Sequence, residues 1–580
     1  MSPRRDPAPT TGTLPAALPT ADDIVTHTLL NCLLREVSGP EHQARVLDDH
    51  LLLRLPRRDV LLRVRLRRVS MVGAHRFTGP VSTRTRAGWV EVSWEQLAEY
   101  VHTELTLYTG VGNDEFLDQV ASTHRTTTIA LRSHATRTAE PAPDYLASEQ
   151  SLLFGHRYHP TPKARSGAPE SWQRYSPETA SEFGLRLLAV RSHLIAEETA
   201  DPAACAALDD LYPQVPHGYR LLPAHPWQFE MLRTDLEHAI DRGDIVDLGV
   251  GPVSHAATAS VRTLYDGRHF LKFSLNIRIT NCVRKNAAYE LAGAVALTRI
   301  LAPALADLRR RFPAAVVLRE PAYRSLALPG PDGTIDQSLL EGFGVIIRDG
   351  LDTTLLPGTT PLLAAAIADE YPTSAAQVSR LLADNRPETA LRWWTDYLRL
   401  LVPPVLAAFF DHGMVLEPHL QNVVVAVDSA GMPAQIFLRD LEGTKLLADH
   451  HGDALARTRP DVAARMTYSR YDGWNRVVYC LVVNHLSEMA AALADVHPHL
   501  ESALWDATHT VLSDCADTHG CPPRMAALLA GVPLPAKANL LTRWERKADR
   551  DAGYVRIPSP WAPRQTERHT TEHPRQEVAR

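Results

Sequence analysis

One stretch of the chain brings hard oxygen ligands to the point where two strands meet. Asn422-Val423-Val424-Val425-Ala426-Val427 runs into the turn-forming Asp428-Ser429-Ala430-Gly431-Met432-Pro433 and then into Gln435-Ile436-Phe437-Leu438-Arg439-Asp440, the pattern of a β-hairpin. With the turn centred near Gly431, Asn422 falls across from Asp440, and Val424 across from Leu438 on the same face. Glu442 follows Asp440 on that face, while Glu417, His419 and Gln421 occupy the loop entering the first strand. An amide oxygen and carboxylates at strand ends suit Mg²⁺ bound together with substrate phosphates. A register slip of one residue would put the two side chains on opposite faces.

A second group is cationic. Ser260-Val261-Arg262-Thr263 precedes Lys272-Phe273-Ser274-Leu275 and Thr280-Asn281-Cys282-Val283-Arg284-Lys285. Lys272, Ser274, Asn276 and Arg278 alternate with Phe273, Leu275, Ile277 and Ile279, which predicts one strand whose polar face could carry an anion. A third group, Gly155-His156-Arg157-Tyr158-His159-Pro160-Thr161-Pro162-Lys163-Ala164-Arg165-Ser166-Gly167, is a proline-stiffened loop dense in donors that could clamp phosphate. His156 and His159 with His225 could instead bind zinc, although no fourth ligand stands at a familiar spacing. Leu222-Pro223-Ala224-His225-Pro226-Trp227-Gln228 reads as a helix start with proline at the first helical position, where His225 could be a functional group or only a capping or packing one. Lysine usage sharpens the list. The chain has six lysines (Lys163, Lys272, Lys285, Lys445, Lys537 and Lys547) among 61 basic residues, so those places are where a compact ammonium is hardest to exchange for a planar guanidinium.

The 580 residues, 45% apolar and 22% charged, suffice for a sizeable core and two to four domains, and exclude a fibrous or disordered chain. A net charge of −6 gives no general reason for a nucleic-acid or membrane-surface partner. Six scattered cysteines without a CxxC pair argue against a zinc ribbon or disulfide framework. The most apolar run, Leu400 to Phe410, is interrupted by Pro403-Pro404 and is too short to span a bilayer, and no apolar stretch follows Arg4-Arg5, so a cytoplasmic protein is expected. The texture is mixed α+β. An amphipathic helix is expected over Ala21 to Leu34 and a half-buried strand with an arginine face over Leu62 to Arg67. A capping box at Ser93-Trp94-Glu95-Gln96 should open a helix through Leu105, and a helix should run from Ser176-Pro177-Glu178 toward Glu198. Strand-like runs follow at Ala315 to Leu318 and Phe343 to Ile347. After about Glu388 the chain should be mostly helical apart from the hairpin. Residues 1 to 20 and those from 557 onward should be poorly ordered tails.

Six motifs in order give a specific resemblance: H-P-x-x-K-x-R-x-G at 159 to 167, H-P-W-Q at 225 to 228, S-x-R-T at 260 to 263, K-F-S-L-N-I-R-I-T-N at 272 to 281, E-P-H-L-Q-N at 417 to 422 and R-D-L-E-G at 439 to 443. Together, and continuing to the Trp474 and Lys537 regions, they resemble the aerobactin-type IucA/IucC siderophore synthetases, which work without a nonribosomal peptide assembly line. The resemblance implies a cupped hand: a thumb (21–148), fingers with an antiparallel sheet (149–387) and a mainly helical palm carrying the hairpin (388–556). It implies adenylation of a carboxylate such as citrate by ATP, release of pyrophosphate, and attack by an amine or hydroxylamine to form an amide. Ser260, Arg262, Thr263 and Lys272 match phosphate contacts, with His159, Lys163 and Arg165 beside them. His419 and Gln421 match the nucleotide pocket, Asn422 and Asp440 the metal region with Glu417 and Glu442 as neighbours, and Thr280, Arg284, Arg476 and Lys537 the carboxylate set. Arg262, Lys272, His419 and His159 are thereby the catalytic candidates, and a homodimer is the usual assembly. Arg157 departs from the pattern, which often has proline there. Two other readings stay open: a small-molecule kinase, because His-x-x-Asn followed by Asp-x-Glu also describes such a metal site, and a carboxylate-binding protein without catalysis. No GxxxxGK[ST] or GxGxxG loop is present.

Overall fold

The computed structural model describes residues 17–136, 144–212, 214–279, 282–382, 384–548 and 551–563. Its first unit is built on the helix Ala21–Leu33, opened by a capping box between Thr20 and Asp23. A five-stranded antiparallel meander follows, whose third strand, Val60–Arg68, contains the expected alternating segment. Ser93 and Gln96 form the expected capping box, and the helix they open, Trp94–Thr109, runs four residues past the predicted end to Gly110, whose positive φ closes it. Leu29, Leu33, Leu53, Leu62, Leu97 and Val101 make this unit's core, and Leu540 and Trp544 from the far end of the chain complete it.

The middle of the chain folds into an eight-stranded sheet. Its order is Ile195–Thr199, Ala322–Leu326, Val345–Arg348, Phe270–Phe273, Thr263–Tyr265, Ile245–Ala257, Glu182–Arg191 and Tyr219–Ala224, and each neighbouring pair is antiparallel. Two expectations fail here. After Pro177 only one 3-10 turn, Pro177–Thr179, forms; Ala180 then takes a left-handed conformation and the chain becomes the strand Glu182–Arg191. Its alternating Leu185, Leu187 and β-branched Val190 fill a sheet core, so packing overrides the proline-first helix signal. The single strand predicted from Lys272 to Ile279 is two. Phe270–Phe273 lies buried in the large sheet, the chain breaks at Ser274, and Leu275–Ile279 pairs with Cys282–Arg284 in a separate ribbon. The break is held by Ser274, which donates from its hydroxyl to the Glu341 carbonyl and accepts the Asn286 N–H at 2.8 Å.

From Pro387 onward helices dominate. Pro387–Phe410 continues through Pro403 and Pro404 and buries Leu401, Val402, Val405 and Leu406. Two helical spans, Ala288–Arg311 and Arg470–Val496, are long and apolar enough to cross a membrane by length and composition; the apolar window of the second is 94% buried within the protein, that of the first 50%. The hairpin is present as Val423–Val427 and Pro433–Leu438, widened to four strands by Ala315–Val317 and Thr360–Leu363. Its register differs from the expected one. A bulge between Ala426 and Val427 shifts the pairing, so Val424 faces Phe437 and Val423 faces Leu438. The Arg439 N–H then meets the Asn422 carbonyl at 3.0 Å, and Asn422 does not lie across from Asp440. Ordered chain also extends past the expected boundary at 557: Ile557 ends the strand Tyr554–Ile557, and the Trp561 indole packs on Trp505.

Candidate active site

Asp440 reaches the centre of the molecule by backbone conformation. Its φ of 73° is left-handed, unusual outside glycine, and it turns the chain from the hairpin into a 3-10 turn at Leu441–Gly443. The Asp440 carboxylate thereby receives Lys272 Nζ at 2.6 Å and Arg348 at 2.6 Å. Lys272 also pairs with Glu442, Arg348 pairs with Glu320 at 2.7 Å, and the second Glu320 oxygen accepts the Glu442 N–H. Burial alone would drive Lys272 toward neutrality, but Asp440, Glu442 and Glu320 outweigh it and hold the ammonium charged. Burial likewise opposes the Asp440 charge, and Lys272 and Arg348 overcome it, keeping the carboxyl well below its ordinary range. Glu290 completes the cluster from the first turn of Ala288–Arg311; burial, aided by Glu442, raises its pKa. Four carboxylates (Asp440, Glu442, Glu320, Glu290) therefore meet three cations (Lys272, Arg348, Arg262).

Arg262 comes from the connection between the strands Ile245–Ala257 and Thr263–Tyr265. This connection is a tight knot in which Val261 has φ 68°, a strained conformation for a β-branched residue. The Ser260 hydroxyl accepts the Thr263 N–H at 3.1 Å, and the Thr258 hydroxyl donates to the Thr263 carbonyl at 2.8 Å. From outside, Glu149 accepts the Ala259 N–H and Gln421 donates to the Ala259 carbonyl at 3.1 Å. The Arg262 guanidinium is bound by the Asn286 side-chain oxygen and reaches the Arg284 carbonyl at 3.5 Å. Asn286 is fully buried, and its amide nitrogen donates to the Lys272 carbonyl at 3.0 Å, so one amide fixes both cations.

Beside the knot opens a cavity of about 490 Å³. Val261, Arg284, His419, Gln421, Arg476 and Lys537 are among the residues that line it. His159, Lys163 and Arg165 line it from the proline-stiffened loop, but not as an open clamp: Lys163 and Arg165 share the buried Glu178, which burial would raise and the two cations bring down to about 2. His159 Nδ1 accepts the Thr161 N–H, His156 Nδ1 accepts the Tyr158 N–H, and His225 caps the helix Pro226–Asp241 by accepting from Trp227. Arg476 pairs with Glu417 at 3.5 Å. Burial lowers the His419 pKa, against Glu417 and Asp440. The loop carrying Glu417 and His419 is tied down by His485, which bonds the Pro418 carbonyl at 2.9 Å and the Tyr397 hydroxyl.

Most of the residues expected from the sequence thus converge on a cavity and an adjoining charge cluster joined through Arg262. The expected oxygen set is only partly assembled. Asp440 and Glu442 meet on Lys272, but the Asn422 amide donates to the Glu417 carbonyl at 3.3 Å, since the shifted register separates it from Asp440. Among the described residues no three His, Cys, Asp or Glu side chains are grouped to hold a metal ion. Asp440 and Glu417 do aim oxygens into one gap over Gly443, where a Cβ would lie 3.9 and 3.8 Å from them. Thr280 lies outside the described residues. Of the six lysines, Lys163, Lys272 and Lys537 are buried at this site; Lys285 pairs with Glu341 and Lys547 with Glu545 away from the cluster. Sequence reasoning missed the roles of Asn286, Arg348, Glu320 and Glu178, the last of which it read only as part of a helix start. It also left Arg439 without a role, although Arg439 anchors the hairpin end to Glu149 at 2.5 Å and to the Gln421 carbonyl at 2.9 Å.

Comparison with known proteins points the same way. A family model described as the IucA / IucC family matches residues 144–369, and one described as ferric iron reductase FhuF-like transporter matches residues 391–552. The rhizobactin siderophore biosynthesis protein RhbC of Rhizobium meliloti is 29% identical over 561 residues, covering 91% of this chain and 94% of the relative. The L-2,3-diaminopropanoate–citrate ligase of Staphylococcus aureus is 28% identical over 456 residues, covering 72% and 74%. The structure of ATP-bound aerobactin synthetase IucA from a hypervirulent pathotype of Klebsiella pneumoniae superposes with a TM-score of 0.80 at 25% identity, covering 93% of this chain and 99% of that one. With a relative aligned along nearly its whole length and a solved fold matched across the cavity-bearing and hairpin-bearing halves alike, the chain is similar throughout to siderophore synthetases, and its residues 144–369 match the IucA / IucC family.

Proposed function

We propose that this protein is an ATP-dependent siderophore synthetase that adenylates a citrate-like carboxylate and condenses it with an amine or hydroxylamine. The observation that carries the reading is the continuity of fixed charge from the cavity to the Lys272 cluster through Arg262, whose one guanidinium touches Asn286 and the Arg284 carbonyl. Citrate and ATP together bring about seven negative charges, and a unit pair 4 Å apart is worth about 4 kcal/mol at an effective dielectric near 20. Without cations between them the two cannot touch.

In this reading Arg284, Arg476 and Lys537, with Thr280, hold the acid. Ser260, Arg262, Thr263 and Lys272 face the triphosphate, with His159, Lys163 and Arg165 beside them; after pairing with Glu178 the last two retain one net positive charge. His419 and Gln421 line the nucleotide pocket. A carboxylate oxygen of the acid attacks the α-phosphorus, the bond to the bridging oxygen breaks and pyrophosphate leaves. Arg262 and Lys272 stabilise the charge that builds on the phosphoryl oxygens. The amine nitrogen then attacks the acyl carbon, loses its proton and expels AMP. The surplus of one carboxylate in the cluster suits a divalent cation: Mg²⁺ held by Asp440, with Glu417 or Glu442 and the substrate phosphates, would turn that surplus into a net positive charge and screen the polyphosphate. The thumb, fingers and palm are assigned to 21–148, 149–387 and 388–556, and the family likeness supports a cytoplasmic homodimer.

The test is product analysis over a grid of carboxylic acids and amines. Acid-dependent release of AMP and pyrophosphate supports the ligase; ADP would indicate a phosphotransferase, and no nucleotide turnover would indicate a binding protein.

A further inference from the structure

The first unit also reaches the cavity, through one face of a single helix. Ile24, His27, Thr28 and Asn31 of Ala21–Leu33 line it, at offsets of three, four and seven residues that set them in one row about 10 Å long. His27 is engaged, since its Nε2 donates to the Gly79 carbonyl at 3.0 Å. Asn31 is not. It is only 2% exposed, yet its Oδ1 has no hydrogen-bond partner among the described residues. A buried amide oxygen without a donor is destabilising, and in the wall of a cavity it marks where the N–H or O–H of a ligand belongs. Arg35, one turn further along, lies over the Tyr158 ring, 3.1 Å from its centroid, and does not serve Asn31. Burial holds the His156 pKa down to about 4, and Arg35 and Lys537 push the same way; the same two cations oppose the burial that raises Tyr479. His156 and Tyr479 both line the cavity, so the Asn31 end of the row lies toward Lys537. At the other end Ile24 packs with Phe154 and Tyr371 in one apolar cluster, the two rings edge to face at 5.2 Å, and all three line the cavity.

We propose that this helix face is the subsite of the attacking amine: Asn31 Oδ1 receives one N–H of its nitrogen, and its aliphatic chain lies along Ile24, Phe154 and Tyr371. The inference rests on the ligase reading and adds where the third reactant sits and in which protonation state. The acid and the nucleotide are assigned to residues beyond 149, and the first unit supplies neither. Amide formation needs the amine neutral, with its lone pair free. A carboxylate at this position would hold an ammonium; an amide oxygen accepts one N–H and, toward Arg35 and Lys537, favours the uncharged form. The acids of the lining are already paired, Glu370 and Glu488 with Arg157 and Arg76 and Glu417 with Arg476, and exert little pull toward an ammonium. The ligand class is a primary amine or hydroxylamine carried on an apolar chain.

The probe is O-butylhydroxylamine, a neutral nucleophile at pH 7, set against 1-aminopentane, a cation of the same length. The full chain is given ATP, the acid that supports pyrophosphate exchange, and the probe, and the N-alkoxyamide is measured by mass spectrometry; exchange itself is followed without amine. Asn31→Ala, which suits a helix interior, should lower kcat/KM for O-butylhydroxylamine about tenfold beyond any change in exchange. The wild-type protein should use O-methylhydroxylamine, which lacks the chain, at least tenfold less well than the butyl compound. 1-Aminopentane should inhibit the wild-type protein weakly and Asn31→Asp at least tenfold more strongly, a reversal of charge preference that a merely structural role of Asn31 would not produce. An unchanged kcat/KM in Asn31→Ala, a loss matched in exchange, equal use of the two hydroxylamines, or equal inhibition of wild type and Asn31→Asp overturns the proposal. So does the absence of N-alkoxyamide from a wild-type protein that exchanges pyrophosphate. A wild-type protein that exchanges pyrophosphate with no acid is the separate failure of the ligase reading.

Discussion

Replacing Arg262 by alanine tests the junction between cavity and cluster. The guanidinium is held on one side by Asn286 and the Arg284 carbonyl, so its orientation is fixed before any phosphate arrives and its other N–H groups remain to meet one. A charge-assisted contact of this kind, in a site partly closed to water, contributes about 3 kcal/mol to a transition state. At 1.36 kcal/mol per decade this is a fall of roughly 10²-fold in the rate of adenylate formation. The assay is acid-dependent exchange of pyrophosphate into ATP at saturating acid, with thermal unfolding run in parallel. Arg262 is only half-buried, so its loss should leave the unfolding midpoint nearly unchanged. Two companions grade the argument. Arg262→Lys keeps the charge and loses the fork, and should recover part of the rate. Asn286→Ala keeps the charge and loses the clamp, and should cost about tenfold, because positioning is worth less than the charge itself. Exchange within threefold of wild type in Arg262→Ala would refute the assignment, and so would a loss fully explained by a raised KM for the acid.

Lys537→Ala should raise the KM for the acid at least tenfold while leaving the ATP dependence intact, measured by pyrophosphate release against acid concentration; an unchanged acid dependence removes Lys537 from the pocket. Gly443→Val should raise the Mg²⁺ concentration needed for half-maximal exchange about tenfold with little change in thermal stability, since the added carbons enter the gap between Glu417 and Asp440; an unchanged Mg²⁺ titration places the metal elsewhere. Glu178 has a folded pKa of about 2, below its ordinary 4.5, so its contribution to stability is present above pH 4.5 and is lost as pH falls toward 2. Glu178→Gln should therefore lower the unfolding midpoint clearly at pH 7 and by a shrinking margin below pH 4, followed by scanning calorimetry; a gap constant with pH contradicts the Lys163–Glu178–Arg165 pairing.

Features with a local cause were legible in the sequence. The capping box at Ser93, the helix start at His225 and the hairpin each depend on residues a few positions apart, and the rarity of lysine singled out six positions, of which Lys163, Lys272 and Lys537 are buried at the site. Features with a distant cause were not legible. The bulge that moves Asn422 away from Asp440 depends on how the hairpin docks between Ala315–Val317 and Thr360–Leu363. The strand after Ala180 looks like a helix until the large sheet supplies partners for Leu185 and Leu187. Glu178 and Arg348 gain their roles from cations and acids 13 to 92 positions away. The left-handed φ of Asp440 has no signature in Arg-Asp-Leu-Glu-Gly itself, yet it is what aims that carboxylate at Lys272.

The insertion of Leu540 and Trp544 into the first core has a consequence for biosynthesis. Glu36 accepts the N–H groups of Leu540 and Leu541 at 2.9 Å, and Asn113 donates to the carbonyls of Arg543 and Trp544. The unit translated first therefore keeps an open apolar slot and a buried carboxylate without its donors until residue 544 has left the ribosome. Lys537, only a few residues upstream of that plug, ends the strand Leu534–Lys537 that pairs with Tyr554–Ile557, so a nascent or truncated chain lacking that later strand leaves one of the cavity's cations without its strand partner.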